Sequence, residues 1–348
     1  MSTSIIQITA EQVREVLNWR MVCAAVEEAM KSVSYSQEDQ DRDEHGSPQT
    51  SQPARSMTVC GDKHNLLLTM PAYVGNYRLS SSTNDESTLK SSTIACKVVT
   101  SFGKNPERAN PLPRIMANIL IFNTETGKLD CIMDGTDITA WRTAAASLVA
   151  TKYLYFPRYP EGIARPIKVA IIGTGVQGES HALGMCSYFT VSDIYLWNRT
   201  STNAESLGKK LQAEIANVRV HVCSTASEAV ADADVVCVGT YSSTPLVTHT
   251  MLKKRHVHIN TVGAGQVHFG EVGPDIYENG KVYIDSWENA KKELNGLKAE
   301  LIGEIGEVIN TKQYPLNDKI TIFQSMGMAA EDATVAQSIF NAVQCKKE

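Results

Sequence analysis

The sequence lacks any excess of positive charge: 33 Lys and Arg stand against 38 Asp and Glu, which gives a formal net charge of −5. No basic stripe of the kind that binds a phosphate backbone is present, so a nucleic-acid partner is not expected. No apolar run approaches the roughly 20 residues that span a bilayer, and no membrane association is expected either. With 43% hydrophobic and 20% charged residues, the composition is that of a globular protein with enough length for about two domains.

The eight cysteines form no Cys-x-x-Cys pair, and the eight histidines show no zinc-type spacing, so no metal site is predicted. Cys96, Cys223 and Cys237 lie in apolar, strand-like runs, as small buried hydrophobes do. Scattered cysteines of this kind are typical of a reducing compartment. The first residues also lack the basic start and apolar stretch of a secretory signal, and we therefore expect a cytoplasmic protein.

The most informative segment that is present runs from 167 to 200. The apolar run Val169–Ile172 predicts a buried parallel strand. It is followed by a Gly-x-Gly-x-x-Gly pattern and then by a helical stretch from Val176 to about Tyr188. In that context the pattern is typical of a dinucleotide-binding turn, where glycines let the pyrophosphate approach the backbone and the helix N-terminus binds it. The predicted cofactor contacts in this turn are Gly173, Thr174, Gly175, Val176, Gln177 and Gly178.

The end of the next predicted strand, Ile194–Trp197, indicates which cofactor is used. An NAD-type fold usually has Asp or Glu there to bind the ribose 2′-hydroxyl. This sequence has Asn198, Arg199 and Thr200 instead. A carboxylate would repel a 2′-phosphate, whereas a guanidinium binds it through paired charge-assisted hydrogen bonds. NADPH is therefore predicted over NADH; the alternative is that Arg199 only caps a strand in solvent.

The pattern of elements predicts an α/β protein with two domains of different class. Residues 1–136 read as an α+β unit with an antiparallel or mixed sheet, and residues 137–320 alternate strand and helix as in a doubly wound parallel Rossmann sheet. The tail, a short strand at Thr321–Ser325 and then a helix, is expected to return to the first domain and make it discontinuous. Loops are predicted at 36–51 and Asn76–Ser92. The three carboxylates of the stretch 300–307, those of Glu300, Glu304 and Glu307, are expected on a solvated face.

Seven segments together resemble the ornithine cyclodeaminase/mu-crystallin family, its mu-crystallin branch in particular. They are MPAY at 70–73, ACKVVTSF at 95–102, MDGTDITAWRTAAASLVATKYL at 133–154, IIGTGVQG at 171–178, LWNRT at 196–200, INTVGAG at 259–265 and SMGMAAED at 325–332. The resemblance spans nearly the whole chain. It implies a homodimeric, NADPH-dependent ketimine reductase with a substrate-binding and dimerisation domain (1–136 and 321–348) and an NADP-binding domain (137–320).

The resemblance also implies catalytic residues. Arg55 and Arg142 match the family positions that hold a substrate carboxylate, and Lys97 matches the active-site lysine. Arg142 lies about a turn inside a predicted helix, where a cation is unfavourable against the helix dipole, which favours an anionic partner. The alternative for either arginine is a surface ion pair. Lys97, in the apolar run Ile94–Val99, either points to water or is held inside, where its pKa would fall and make it a proton donor to an imine.

Four more residues are expected at the cofactor from their position in these segments. Thr143 is next to Arg142 and is expected to reach the phosphates. Thr240 ends a predicted strand at the carboxyl edge of the parallel sheet, where the nicotinamide half of a dinucleotide lies. Val262 and Met326 are expected to line the nicotinamide ring; the alternative for both is core packing.

The expected reaction is the reduction of small, cyclic ketimine carboxylates to amino acids. Three alternatives stay open: an amino-acid dehydrogenase of the same family, an ornithine cyclodeaminase, and a non-catalytic protein that binds NADPH and a thyroid-hormone-type aromatic ligand. Gly265 speaks against the cyclodeaminase, because members of that type have an aspartate there for proton transfer and glycine has no side chain to replace it.

Overall fold

The computed structural model describes residues 5–38, 50–62, 64–79, 89–263, 269–316 and 319–346. The chain divides into unit 1, which comprises residues 1–142 and 328–348, and unit 2, which comprises residues 143–327. The two boundaries lie six and seven residues beyond those expected from the sequence, at 142/143 instead of 136/137 and at 327/328 instead of 320/321. Within the described ranges, no helix has the length and apolar character needed to cross a membrane.

Unit 1 is an α+β unit built on a mixed sheet. Its elements are β1 (Ile6–Ile8), α1 (Ala10–Val16), α2 (Trp19–Glu38), β2 (Thr50–Ser51), β3 (Ser56–Val59), β4 (Asn65–Leu79), β5 (Leu89–Phe102), β6 (Ile115–Phe122), β7 (Leu129–Asp134), the start of α3 (Thr136–Leu154) and the C-terminal helix α10 (Ala329–Cys345). The strand order is β1-β7-β6-β5-β4-β2, with β3 also paired to β4. Among these described strands, the β1–β7 pair is parallel and the other pairs are antiparallel.

The side chains of β5 alternate between the two faces of this sheet. Thr93, Ala95, Lys97 and Val99 are buried, and the residues between them are only half-buried. Helix α10 packs on β4 and β5, and α2 packs on β4. Both Thr93 and Lys97 contact side chains of α10, so the buried face is the one that the C-terminal helix covers. The strand period of two therefore places Lys97 inside unit 1.

Unit 2 alternates strands and helices. Its elements after α3 are β8 (Ile167–Ile172), α4 (Val176–Tyr188), β9 (Val191–Trp197), α5 (Ser201–Glu214), β10 (Arg219–Val222), α6 (Ala226–Val230), β11 (Val235–Val238), β12 (His258–Thr261), α7 (Pro274–Asn279), β13 (Lys281–Ile284), α8 (Trp287–Glu293), β14 (Leu301–Glu304), α9 (Ile305–Thr311) and β15 (Thr321–Gln324). All strands are parallel, in the order β10-β9-β8-β11-β12-β15-β13-β14. The order reverses at β8, which confirms the predicted doubly wound parallel sheet.

Three expectations from the sequence need correction. Thr321–Gln324 does not return to the first domain, because it lies inside the parallel sheet between β12 and β13; only the helix α10 returns. The carboxylates after Glu300 do not all face solvent: Glu304 is fully buried and accepts the N–H of Trp287 at 2.6 Å. The strands β4 and β5 extend into the predicted loop Asn76–Ser92, and α2 extends into the loop predicted at 36–51; residues 80–88 and 39–49 lie outside the described ranges.

Candidate functional site

The turn between β8 and α4 has the shape that its glycines predict. Gly173 has a φ of +95°, and a Cβ there would lie 2.7 Å from the carbonyl oxygen of Gly239. A Cβ on Gly178 would lie 1.9 Å from the carbonyl oxygen of Gly173, so α4 approaches β8 this closely only with glycine. At Gly175, by contrast, a Cβ would meet nothing within 4 Å. The backbone at Gly175 therefore borders open space that a phosphate can enter.

The start of α4 presents polar groups around this turn. Gly175 is the N-cap residue and makes no side-chain cap, and the N–H groups of the first turn have no partner inside the helix. The buried atoms Thr174 Oγ1 and Gln177 Oε1 have no hydrogen-bond partner within the described part of the chain. Val176 is 72% exposed beside them. Free donors at the positive end of a helix bind anions, so this turn fits the pyrophosphate of a dinucleotide.

Asn198 connects the glycine turn to the loop that follows β9. Its Oδ1 accepts the N–H of Thr174 at 3.1 Å, and its Nδ2 donates to the carbonyl oxygen of Thr200 at 3.0 Å. Arg199 and Thr200 are exposed, and Thr200 is the N-cap residue of α5 without a side-chain cap. No carboxylate stands at the end of β9, so the described structure has a guanidinium and a helix N-terminus where an NAD-type fold has an acid.

Thr240 and Val262 lie at the carboxyl edge of the sheet, next to the glycine turn. A Cβ on Gly239 would lie 3.2 Å from Gln177 Cβ and 3.5 Å from Val262 Cγ2. Thr240 follows β11, and its N–H donates to Oε1 of Glu271 at 2.7 Å; its hydroxyl donates to the same oxygen. Glu271 is 1% exposed. The buried carboxylate thus fixes the loop that carries Thr240.

For Met326 and Thr143, the structure says less about the expected contact with a cofactor. Met326 is buried, packs with Ile284, Ala290 and Leu294, and donates its N–H to Asp285 Oδ2 at 2.7 Å. The N–H of the next residue, Gly327, donates to the same oxygen at 2.6 Å. Thr143 is half-buried on α3 and is the first residue of unit 2. The expected contacts of Met326 and Thr143 with a cofactor stay predictions.

The residues that the sequence connects with substrate chemistry lie in unit 1. Lys97 is 1% exposed, and its Nζ lies 2.7 Å from Asp332 Oδ2. Burial, together with the positive charges of Arg142 and Arg55, lowers the pKa of Lys97 to about 8, although Asp332 opposes this. The structure therefore holds Lys97 inside, close to the two arginines that the sequence groups with it.

Arg142 is also buried and meets the anionic charge that its place in α3 favours. Its Nε donates to Asp332 Oδ1 at 3.1 Å, and its Nη1 donates to Glu331 Oε2 at 3.1 Å. Both carboxylates come from the first turn of α10, where negative charge is favourable. The alternative of a surface ion pair is wrong for Arg142, since its side chain is only 7% exposed. Arg55 is half-buried in the connection between β2 and β3.

Sequence reasoning missed four buried carboxylates that these residues contact: Asp285, Glu271, Glu331 and Asp332. Glu331 and Asp332 fall in the segment SMGMAAED, and their signal is a charged pair at the start of an otherwise apolar helix. Glu271 and Asp285 follow no motif that the sequence offers. Gly265 lies outside the described residues, so its place in the site is untested. Within the described ranges, no group of three His, Cys, Asp or Glu side chains could hold a metal ion.

Comparison with protein families gives one match over nearly the full length. The model of the ornithine cyclodeaminase/mu-crystallin family matches residues 10–347. Among curated proteins, the ketimine reductase mu-crystallin of Rattus norvegicus is 33% identical over 296 residues, which covers 84% of this chain and 85% of the relative. A Delta(1)-pyrroline-2-carboxylate reductase of Bacillus cereus is 25% identical over 346 residues, 96% of this chain and 95% of the relative.

Solved structures share the fold. The Delta(1)-pyrroline-2-carboxylate reductase of Thermococcus litoralis, solved with NADH and L-proline, has a TM-score of 0.78 at 23% identity and covers 99% of this chain and 98% of its own. An archaeal alanine dehydrogenase dimer with bound NAD has a TM-score of 0.79 at 24% identity. The match covers 99% of this chain and 97% of the dehydrogenase chain.

Proposed function

Because the chain belongs to the ornithine cyclodeaminase/mu-crystallin family, we propose that it is a nicotinamide-dependent reductase of small carboxylated imines, cyclic ketimines above all. Curated relatives are named for a ketimine and for Delta(1)-pyrroline-2-carboxylate; both names denote a C=N bond, and the second denotes a carboxylate beside it. The observation that carries the proposal is the buried Lys97, held with Arg142 and Arg55 in unit 1.

The three side chains supply what such a substrate needs. A neutral C=N bond is a poor hydride acceptor, and protonation of its nitrogen makes the carbon electrophilic. With its pKa lowered to about 8, the ammonium group of Lys97 gives up a proton at neutral pH far more readily than an ordinary lysine. The guanidinium groups of Arg142 and Arg55 bind the substrate carboxylate and fix the orientation of the ring. Unit 1 thus serves as the substrate domain.

The cofactor is assigned to unit 2. The turn Gly173–Gly178 and Thr143 bind the phosphates, and Thr240, Val262 and Met326 complete the contacts toward the nicotinamide. Arg199, with Thr200 and the N-terminus of α5, binds a 2′-phosphate, so the preferred cofactor is NADPH. When bound, the reduced nicotinamide supplies the hydride that reaches the imine carbon. The chain's own part is to bind, orient and protonate.

The direct experiment follows the absorbance of the reduced nicotinamide with Delta(1)-pyrroline-2-carboxylate and with its six-membered homologue. We expect turnover with both rings, faster with NADPH than with NADH. Arg142→Ala should lower kcat/KM by about 100-fold or more on carboxylated imines, since one charged hydrogen-bonding partner of the substrate is lost. Unchanged kinetics in this variant would remove Arg142 from the substrate site.

The same assay separates the alternatives. An amino-acid dehydrogenase oxidises NADPH with a keto acid and ammonia but not with a preformed cyclic ketimine, and a cyclodeaminase releases ammonia from ornithine. A carrier turns over neither substrate and binds an aromatic, hormone-type ligand in the presence of NADPH. We also expect a homodimer, because β3 exposes Met57 and Val59 by 60% and 56%; sedimentation at two protein concentrations tests this expectation.

A further inference from the structure

The first turn of α10 buries two adjacent carboxylates against the cations of unit 1. Glu331 is 0% and Asp332 1% exposed. Asp332 contacts Lys97 Nζ with Oδ2 at 2.7 Å and Arg142 Nε with Oδ1 at 3.1 Å. Glu331 Oε2 accepts from Arg142 Nη1 at 3.1 Å and from the N–H of Met328 at 3.3 Å. One carboxylate therefore bridges the lysine and the arginine, and the other binds a second edge of the same guanidinium.

We propose that Asp332 is a positioning residue for imine reduction, which keeps Lys97 protonated and fixes Lys97 and Arg142 relative to each other, while Glu331 fixes the orientation of Arg142. This assignment rests on the proposed function of unit 1. It adds to the reaction a residue that touches neither substrate nor cofactor in the scheme above.

The arrangement is hard to explain by stability alone. Buried ion pairs contribute little net stability, because desolvation offsets much of their attraction, and well-packed apolar side chains often replace them without loss. Here four charged groups share one buried cluster. Their formal charges balance, and Arg55 adds one positive charge nearby. The excess of one positive charge matches a substrate with a single carboxylate.

The charges around Lys97 show what Asp332 does. Arg142 on α3 and Arg55 before β3 both disfavour the ammonium form of Lys97, and burial disfavours it further. Asp332 on α10 is the group that favours it. The strands on both sides of β5 place the uncharged residues Met70 and Ile119 opposite Lys97. Without the Asp332 charge, Lys97 would lose its proton at a lower pH and could no longer donate it to an imine.

Asp332→Asn keeps the shape and one acceptor but removes the charge. In the wild type, the basic limb of the pH profile of kcat/KM should fall with a midpoint near 8. In Asp332→Asn this midpoint should move down by more than one pH unit, a change of over about tenfold in proton affinity. Asp332→Glu, which restores the charge, should return the midpoint toward the wild type. Asp137→Asn, which removes a partly exposed carboxylate of unit 1 that pairs with Arg14, is the matched control and should leave the profile unchanged.

A substrate-free measurement keeps the two proposals apart. NMR of isotope-labelled lysine, with Lys97→Met to assign the resonance, follows the titration of Lys97 directly. If the wild type reduces no imine, the proposed function fails, whereas a lower Lys97 midpoint in Asp332→Asn still supports the electrostatic assignment. A loss of activity or stability with an unmoved midpoint would overturn it.

Glu331→Gln carries the test if Asp332→Asn does not fold. It leaves the Lys97–Asp332 contact intact and loosens only Arg142. KM for the carboxylated imine should rise by about tenfold, as for one weakened charged hydrogen bond, while the Lys97 midpoint moves less than one pH unit. An unchanged KM would count against the assignment of Glu331.

Discussion

In unit 1, the buried polar side chains around Lys97 carry charge and meet the opposite charge, whereas two buried histidines in the described part of unit 2 contact hydroxyl, amide and carbonyl groups and are kept neutral by burial. His258 contacts Thr321 Oγ1 at 2.9 Å and Asn260 Oδ1 at 3.1 Å, and its burial lowers its pKa to about 3. His181 contacts the Gln177 carbonyl oxygen at 2.7 Å, and its pKa is lowered by burial to about 4. Among the described residues, neither ring has a carboxylate as a hydrogen-bond partner.

Two buried carboxylates at the carboxyl edge of the unit 2 sheet also differ from Asp332, because they accept backbone N–H groups. Asp285 accepts two backbone N–H groups, from Met326 and Gly327, and Glu271 accepts that of Thr240. These carboxylates shape the loops at the carboxyl edge of the sheet, where a cofactor binds in this fold. In unit 1, by contrast, Asp332 binds side-chain cations. We infer that Asp285 and Glu271 fix the backbone at this edge of unit 2, whereas Asp332 controls protonation in unit 1; Asp193 and Asp234, also buried in unit 2, pair with Arg219 and Lys254 instead.

The largest effect is expected from Lys97→Met. Turnover should fall by about 100-fold or more, since the proton donor is lost. The free energy of unfolding, by contrast, should not fall in this variant at neutral pH, because the buried charge of Lys97 is removed. The pKa of Lys97 is about 8 when folded and 10.5 ordinarily. The destabilisation from burying its charge, roughly 3 kcal/mol, is therefore fully present below pH 8 and disappears as the pH rises toward 10.5.

Urea unfolding of wild type and Lys97→Met at neutral and alkaline pH checks this sign. The variant should be at least as stable as the wild type at neutral pH, and the difference should change in favour of the wild type above pH 8. Lys104→Met is the control, because Lys104 is an 81% exposed lysine of the same unit. A variant that is less stable at every pH, with no change in slope, would show that Lys97 is a structural residue.

The next largest effect is expected from Arg199→Asp in unit 2. The affinity for NADPH should fall by about 100-fold, because two charge-assisted hydrogen bonds are replaced by repulsion, while NADH binding changes only a few-fold. Calorimetry with both cofactors measures the two affinities. Lys209→Asp makes the same change of charge on an exposed residue of α5 and should leave the preference intact. An equal loss for both cofactors would show that Arg199 does not bind the 2′-phosphate.

The sequence predicted most of unit 2 because each of its strands is a short apolar run between turns and helices. The doubly wound sheet and the family are confirmed. The strand Leu301–Glu304 escaped notice because it is short and ends in a buried glutamate. Thr321–Gln324 was assigned to the wrong domain, since its partners β12 and β13 are fixed by long-range pairing that local pattern does not contain.

The candidate site shows the same limit. The alternation of β5 raised two orientations for Lys97, and only the position of α10 decides between them. Arg142 was expected to need an anionic partner, and it has two. Both come from a helix far along the chain, at sequence separations of 189 and 190 residues. Acidic residues are common in the first turn of any helix, so the sequence alone does not show that this pair contacts Arg142. The roles of the predicted cofactor contacts stay predictions.

A smaller effect is expected from acid. The folded pKa of His258 and His181 lies below the ordinary 6.5, so the unfolded chain binds more protons between about pH 4 and 6.5. Stability should therefore fall as the pH drops through this range, by about 2 kcal/mol for each histidine at about pH 5. His258→Gln should unfold with a shallower pH dependence than the wild type, and the exposed His249→Gln should not. A slope that is the same in all three proteins would show that His258 binds its proton equally well in the folded and the unfolded chain.

The smallest effect is expected from Asn198→Ala, which tests how the two cofactor loops of unit 2 are joined. The side chain of Asn198 makes two hydrogen bonds, to the N–H of Thr174 and to the carbonyl of Thr200, and each contributes about 1 kcal/mol in a protein. Their loss should weaken NADPH and NADH alike, by about fivefold, because the glycine turn and the Arg199 loop lose their connection while the guanidinium remains. A selective loss of NADPH, as expected for Arg199→Asp, would mean instead that Asn198 itself contacts the phosphate. The ratio of the two affinities therefore separates the residue that shapes the site from the residue that selects the cofactor.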